Sequence, residues 1–190
     1  MRSISVASLL TLPAVFLLAA ASPASRAELP AAQPALDDPT IVAIFDAANS
    51  ADIETGSLAA KRAESKAVRD YGAMIAHDHA AVRQLGRDLA KKLGVTPTPP
   101  ADDASGKAHA DAMATLRAKH GVDFDRAFLQ HEVAFHQAVI DAIQTTLLPA
   151  IQNAELKALV VKVAPAFQAH ILAAQQLEKE LGQKQQVGAK

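Results

Sequence analysis

The sequence predicts an all-helical domain, and three observations carry that expectation. Alanine dominates the composition, while glycine is sparse outside the ends of segments. Apolar side chains recur at intervals of three and four along four stretches. Alternating runs of Val, Ile and Thr, the mark of strands, are missing.

Residues 1–27 stand apart from that domain. Arg2 precedes an uncharged apolar run from Val6 to Ala21, and Ser25-Arg26-Ala27 supplies a small-x-small cleavage pattern; together these read as a secretory signal peptide. The run is nearly long enough to span a bilayer, yet Pro13, the interspersed Ser and Thr, and the cleavage pattern favour removal. Glu28 is then the first residue, no stable membrane insertion is expected afterwards, and the expected compartment is the periplasm. Removal takes Arg2 and Arg26 away and leaves 17 basic against 20 acidic side chains. That balance, with no basic stripe, gives no footprint for nucleic acid. The chain has no cysteine, so it must hold together by packing and not by disulfides.

Residues 28–38, with two prolines and no apolar period, read as a flexible leader. A first helix is expected from Pro39, with Asp38 as N-cap and a stripe of Ile41, Ile44, Phe45, Ala48, Ala51 and Leu58, ending near Ala63. Ser65 can cap a second, whose stripe runs Val68, Tyr71, Ile75, Val82, Leu85, Leu89 and Leu93 before Gly94 closes it. The segment 94–103 holds three prolines between Pro97 and Pro100 and breaks helix; a short helix from about Gly106 to Lys119 follows. A third long helix is expected after Asp123, with Phe124, Phe128, Phe135, Val139, Ala142 and Thr146 on its face up to Pro149. The fourth is capped by Asn153 and carries Leu156, Val160, Val163, Phe167, Ala174, Leu177 and Leu181, with Pro165 expected to kink it before His170. Two short connections and one of about thirty residues give two helical hairpins joined by a long crossover containing a short helix, the plan of a ferritin-like four-helix bundle over 39–182. Residues 183–190 are expected to be a disordered tail.

The stretch "AHDHA" (76–80) places three titratable side chains in an otherwise apolar seam. At roughly 100° per residue Asp78 lies about 30° from the centre of the stripe and His79 about 70°, while His77 points elsewhere. Glu132 falls on the third face with His131 and His136 on its flanks, and His170 sits on the fourth stripe. Glu54, His79, the Glu132/His136 pair and His170 all fall near mid-depth, so each long helix offers one metal ligand at a common height. Imidazole with carboxylate suits one transition metal such as Zn, Cu or Fe, held by His79, His136 and His170 with Glu54 at the fourth position. Two observations oppose a fuller reading. Ala76 and Phe167 stand three residues before His79 and His170, so the Glu-x-x-His motif of di-iron bundles is missing there. Glu54 lies about 90° from the centre of its stripe. The competing reading makes His79 and His170 neutral, hydrogen-bonded core groups that clamp the bundle. His77, His109 and His120 read as solvated, and Met74 and the phenylalanines as core. There is no cysteine, no Gly-x-Ser-x-Gly elbow and no Gly-rich phosphate loop, so nucleophilic catalysis finds no support.

Four blocks, "ADIETGSLA" (51–59), "VRDYGAMIAHDH" (68–79), "FDRAFLQHEVAFHQ" (124–137) and "APAFQAHIL" (164–172), resemble in order and spacing the exported bacterial ferritin-like proteins of the domain-of-unknown-function 4142 family. The resemblance implies an exported ferritin-like bundle whose recurring polar positions fall on Glu54, Asp78, His79, His136 and His170. It implies no reaction. The functional expectation is a non-catalytic bundle with a binding or envelope-stress role. The alternative is a mononuclear His-rich protein that stores, senses or uses a metal. No protein partner is named by either.

Overall fold

The computed structural model describes residues 36–102 and 104–188, with side chains as far as 184. The expected signal peptide at 1–27, the expected leader up to residue 35 and residues 189–190 lie outside the described residues. Among the described residues the structure is all-helical, without a strand: α1 Asp38–Arg62, α2 Lys66–Leu93, α3 Ala104–Arg117, α4 Gly121–Ala142, a π-helical turn Ile143–Leu147, a short α5 Leu148–Ala150 and α6 Ala154–Gly188.

The helix ends differ from the sequence expectation where another group takes over the capping. Asp37, not Asp38, caps α1, its Oδ1 accepting the Thr40 N–H at 2.9 Å. Asp38 is instead the first helical residue, and its carboxylate accepts the N–H groups of Gln152 and Asn153 at 2.9 and 2.8 Å, tying the start of α1 to the start of α6. Ser65 precedes α2 without a side-chain capping bond. The buried Asp125 of α4 instead holds the turn that leads into α2, accepting the backbone N–H groups of Glu64 and Ser65 at 2.8 and 2.7 Å. α4 starts at Gly121, two residues before the expected Asp123 cap, because Gly121 takes a left-handed turn (φ 56°) that admits the chain from the crossover. Gly94 closes α2 in the same left-handed region, as its position suggested, and Asn153 caps α6 through Oδ1. α6 runs unbroken through Pro165 and past residue 182 to Gly188, where Gln and Lys are sound helix formers; the expected tail boundary at 183 is not seen.

α1 packs on α2 and α4 packs on α6. The α1–α2 seam is close: a Cβ on Gly56 would lie 2.6 Å from the Gly72 carbonyl oxygen, and one on Gly72 2.8 Å from the Gly56 oxygen. The crossover begins beside the start of α1, where the Thr98 N–H meets the Pro39 carbonyl at 3.1 Å. It ends at the far end of α1, where Arg62 donates to the carbonyls of Arg117 and Lys119 at 3.0 and 2.9 Å. α2 and α4 therefore start at the same end and run parallel, and α3 rides along α1 and α4.

Two apolar clusters fill the interior. One holds Ala59, Val68, Tyr71, Ile75, Phe124, Phe128, Leu129 and Ala174; the other holds Ile41, Ala90, Ile143, Leu156, Val160 and Phe167. Along each of the four long helices the order is the same: one cluster, a polar stretch, then the other. The polar residues between them are Asn49, Asp52 and Thr55 on α1, His79 on α2, Glu132 and His136 on α4, and His170 on α6, all buried. Met74 and Leu85, expected in the core, are 37 % and 46 % exposed. At Leu85 the adjacent Gly86 takes the inward place against the Phe45 ring.

Candidate metal centre

Helical spacing builds the site. Asn49, Asp52 and Thr55 lie three residues apart on one face of α1, and Glu132 and His136 lie one turn apart on α4. Tyr71 donates its hydroxyl to the His170 carbonyl at 3.1 Å, fixing α6 at that level. The Phe167 ring stands 5.6 Å from the rings of both His79 and His136 and forms an apolar wall.

The three imidazoles face one another. His79 Nε2 lies 3.3 Å from His136 Nε2, which in turn lies 3.1 Å from His170 Nδ1. The opposite nitrogen of each ring meets an oxygen: His79 Nδ1 is 3.0 Å from Asn49 Oδ1, His136 Nδ1 is 2.9 Å from the Glu132 carbonyl, and His170 Nε2 is 3.4 Å from Asp78 Oδ2. The Asn49 amide nitrogen is already spent on the Phe45 carbonyl, so its oxygen faces His79. Each oxygen accepts, so each outer nitrogen carries the proton and each inner nitrogen presents a lone pair. The three lone pairs converge.

A carboxyl group stands behind every ring. Asp52 Oδ2 is 3.2 Å from His79 Nδ1, Glu132 Oε2 is 3.6 Å from His136 Nδ1, and Asp78 approaches His170. The Asp52 contact lacks hydrogen-bonding geometry, because the His79 N–H is given to Asn49; Asp52 Oδ1 and Oδ2 and Glu132 Oε2 have no hydrogen-bond partner among the described residues. The contacts are not salt bridges in charge. Burial, then the neighbouring rings of His136 and His170, holds His79 down to about 3. Burial and His170 hold His136 down to about 4. Burial lowers His170, against the pull of Asp78. Burial pushes Glu132 up to about 8, and burial followed by Glu132 raises Asp52 well above the usual range. At neutral pH the rings are free bases, the form in which imidazole binds metal.

The structure thus brings His79, His136 and His170 together, with ligand atoms within 4.8 Å of one another. It does not bring Glu54 to them. Glu54 is exposed and lies 3.0 Å from His109 Nε2 on α3, so it pins the crossover helix and does not reach the centre. His109 is accordingly only partly exposed, where a solvated ring was expected, whereas His77 is exposed. Sequence reasoning missed Asn49, Asp52 and Thr55. Their signal was present: they continue the three-and-four spacing from Ile41 and Phe45 to Ala59, with Asp52 about 200° around the helix from Glu54.

The fold and this layer define an all-helical protein with a buried imidazole and carboxyl centre. The chain belongs to the family described as a domain of unknown function (DUF4142), whose match covers residues 22–177. No curated protein and no solved structure matches the chain.

Proposed function

We propose that the protein is an exported ferritin-like four-helix bundle that binds one transition-metal ion of the zinc, copper or iron class through His79, His136 and His170. The observation that carries this reading is the convergence of three imidazole lone pairs, each ring oriented by an oxygen on its far nitrogen. Metal-bound imidazole is held in the same way, with its free N–H donated to a carbonyl or carboxylate. Nitrogens bound at 2.0–2.1 Å on a tetrahedron stand ~3.3 Å apart, which agrees with the separations of 3.3 and 3.1 Å. Three protein ligands leave one position for water or a small ligand, an arrangement that serves storage, sensing or chemistry alike. The ferritin-like part of the reading is supported by the two hairpins and the long crossover with its own helix. Export to the periplasm is supported by Arg2, the apolar run and the Ser25-Arg26-Ala27 pattern. Intact mass of the exported chain should begin at Glu28, and a chain retaining Met1 in the membrane fraction would reject export.

The second reading, a non-catalytic bundle clamped by neutral histidines, is favoured by the hydrogen bond each ring already makes. Metal titration separates the two. Zinc at a hundred times its dissociation constant adds about 2.7 kcal/mol to a folded site, so it should raise the melting temperature of the wild type and of His77→Ala. His79→Ala, His136→Ala and His170→Ala should lose that shift. A wild-type melting temperature indifferent to Zn, Cu and Fe would leave the clamp as the function of these residues.

A further inference from the structure

The three-imidazole reading uses none of the carboxyl oxygens of Asp52 and Glu132. Yet these are the least expected groups in the interior: 1 % and 0 % exposed, on facing helices, with Oδ1, Oδ2 and Oε2 unpartnered among the described residues. One hydrogen bond reaches the pair, from the Thr55 hydroxyl to Glu132 Oε1 at 3.1 Å. The basic groups in ion-pair range among the described residues are imidazoles, His79 on Asp52 and His136 on Glu132. Among the described residues no Lys or Arg forms an ion pair with either carboxyl. Buried carboxyl oxygens normally have at least one hydrogen-bond partner each, and leaving three without any is costly.

We propose that Asp52 and Glu132, with the Thr55 hydroxyl, form a second cation position that takes a divalent ion preferring oxygen ligands, of the manganese, magnesium or ferrous class. A ligand atom of Asp52, one of Glu132 and one of His136 lie within 4.8 Å of one another. His136 thus borders both groups: its Nε2 faces the imidazole set, while its Nδ1, whose proton goes to the Glu132 carbonyl, lies 3.6 Å from Glu132 Oε2. The two positions differ in their lining, one offering nitrogen and the other oxygen. That difference in ligand chemistry sorts metals, the softer and later ions to the imidazoles and the harder ions to the carboxylates. A cation supplies the charge that makes two ionised carboxylates tolerable in one buried layer. The proposal stands on different atoms from the three-imidazole site and does not require it.

The test uses the full chain, stripped with chelator, given one equivalent of Zn2+ and then titrated with Mn2+ while the free-ion resonance signal of manganese is followed. One further equivalent of Mn2+ should bind per wild-type chain. Asp52→Asn and Glu132→Gln should each weaken that uptake at least tenfold while still taking one equivalent of zinc, with helical circular dichroism as the check on folding. Zinc-loaded wild type that takes up no Mn2+, as a carboxyl pair sharing a proton would behave, overturns the proposal without recourse to any variant. So does uptake unchanged in both variants. If zinc itself does not bind, the three-imidazole reading fails, and Mn2+ titration of the metal-free chain still decides the carboxylate position.

Discussion

At the scale of single residues, the centre turns on which carboxyl of "ADIETGSLA" faces inward. Asp52 does and Glu54 does not, and a step of two residues is enough to exchange the core for the surface. Asp125 shows the same sensitivity in a structural role. It is buried yet fully engaged, holding the N–H groups of Glu64 and Ser65 at the tight turn between α1 and α2. Asp125→Ala would leave both donors without their acceptor, a loss of about 1–3 kcal/mol. Urea unfolding should register that loss in metal-free and metal-loaded protein alike, because the turn is remote from the histidines. A midpoint unchanged by the substitution would mean that water replaces the carboxylate without cost.

At the scale of elements, the α1–α2 hairpin depends on small residues at its seam. A Cβ at Gly72 would stand 2.8 Å from both the Ala59 Cβ and the Gly56 backbone oxygen, neither of which is the free end of a flexible chain. Overpacking of this kind costs about 1–3 kcal/mol, against a gain of about 1 kcal/mol from replacing glycine by alanine inside a helix. Gly72→Ala should therefore lower the melting temperature. Gly182→Ala, where nothing lies within 4 Å of the added carbon, should keep the propensity gain and raise it. Equal shifts in the two variants would show that the seam yields. The π-helical turn at Ile143–Leu147 is an element that apolar periodicity does not announce, since it turns Ile143 and Leu147 into the core by widening one turn.

At the scale of the whole molecule, a polar layer divides the apolar interior, and its titration should govern stability against pH in the metal-free protein. Stability rises with pH wherever the unfolded chain binds more protons than the folded one. His79 and His136 fall from 6.5 to about 3 and about 4 on folding, so they withdraw stability as pH drops below 6.5. Glu132 rises from 4.5 to about 8, so the folded chain holds the extra proton across that window and stability declines as pH climbs through it. Asp52, raised by burial and by Glu132, acts in the same direction. The two trends oppose each other between 4.5 and 6.5 and act singly outside it. Urea midpoints should therefore be highest between pH 4.5 and 6.5, falling below 4.5 and again between 6.5 and 8. A midpoint that rises from pH 6.5 to 8 would show the carboxyls ionised in the folded state.

The sequence by itself determined the all-helical class, the four long helices and their order, the Gly94 and Asn153 boundaries, and the inward placing of His79 and His170, with His136 on a flank of its helix face. These follow from local rules: helical period, capping chemistry and the breaking power of proline each act within a few residues. The chain's pattern also carried the family resemblance. Tertiary structure alone decided which groups meet. The anchoring of the Glu64–Ser65 turn by Asp125 and the pairing of Glu54 with His109 each join residues more than 50 positions apart, beyond the reach of any local period. The facing of Asp52 and Glu132 is of the same kind. Each reads alone as an ordinary charged residue on a helix, and only the packing of α1 against α4 removes both from water together.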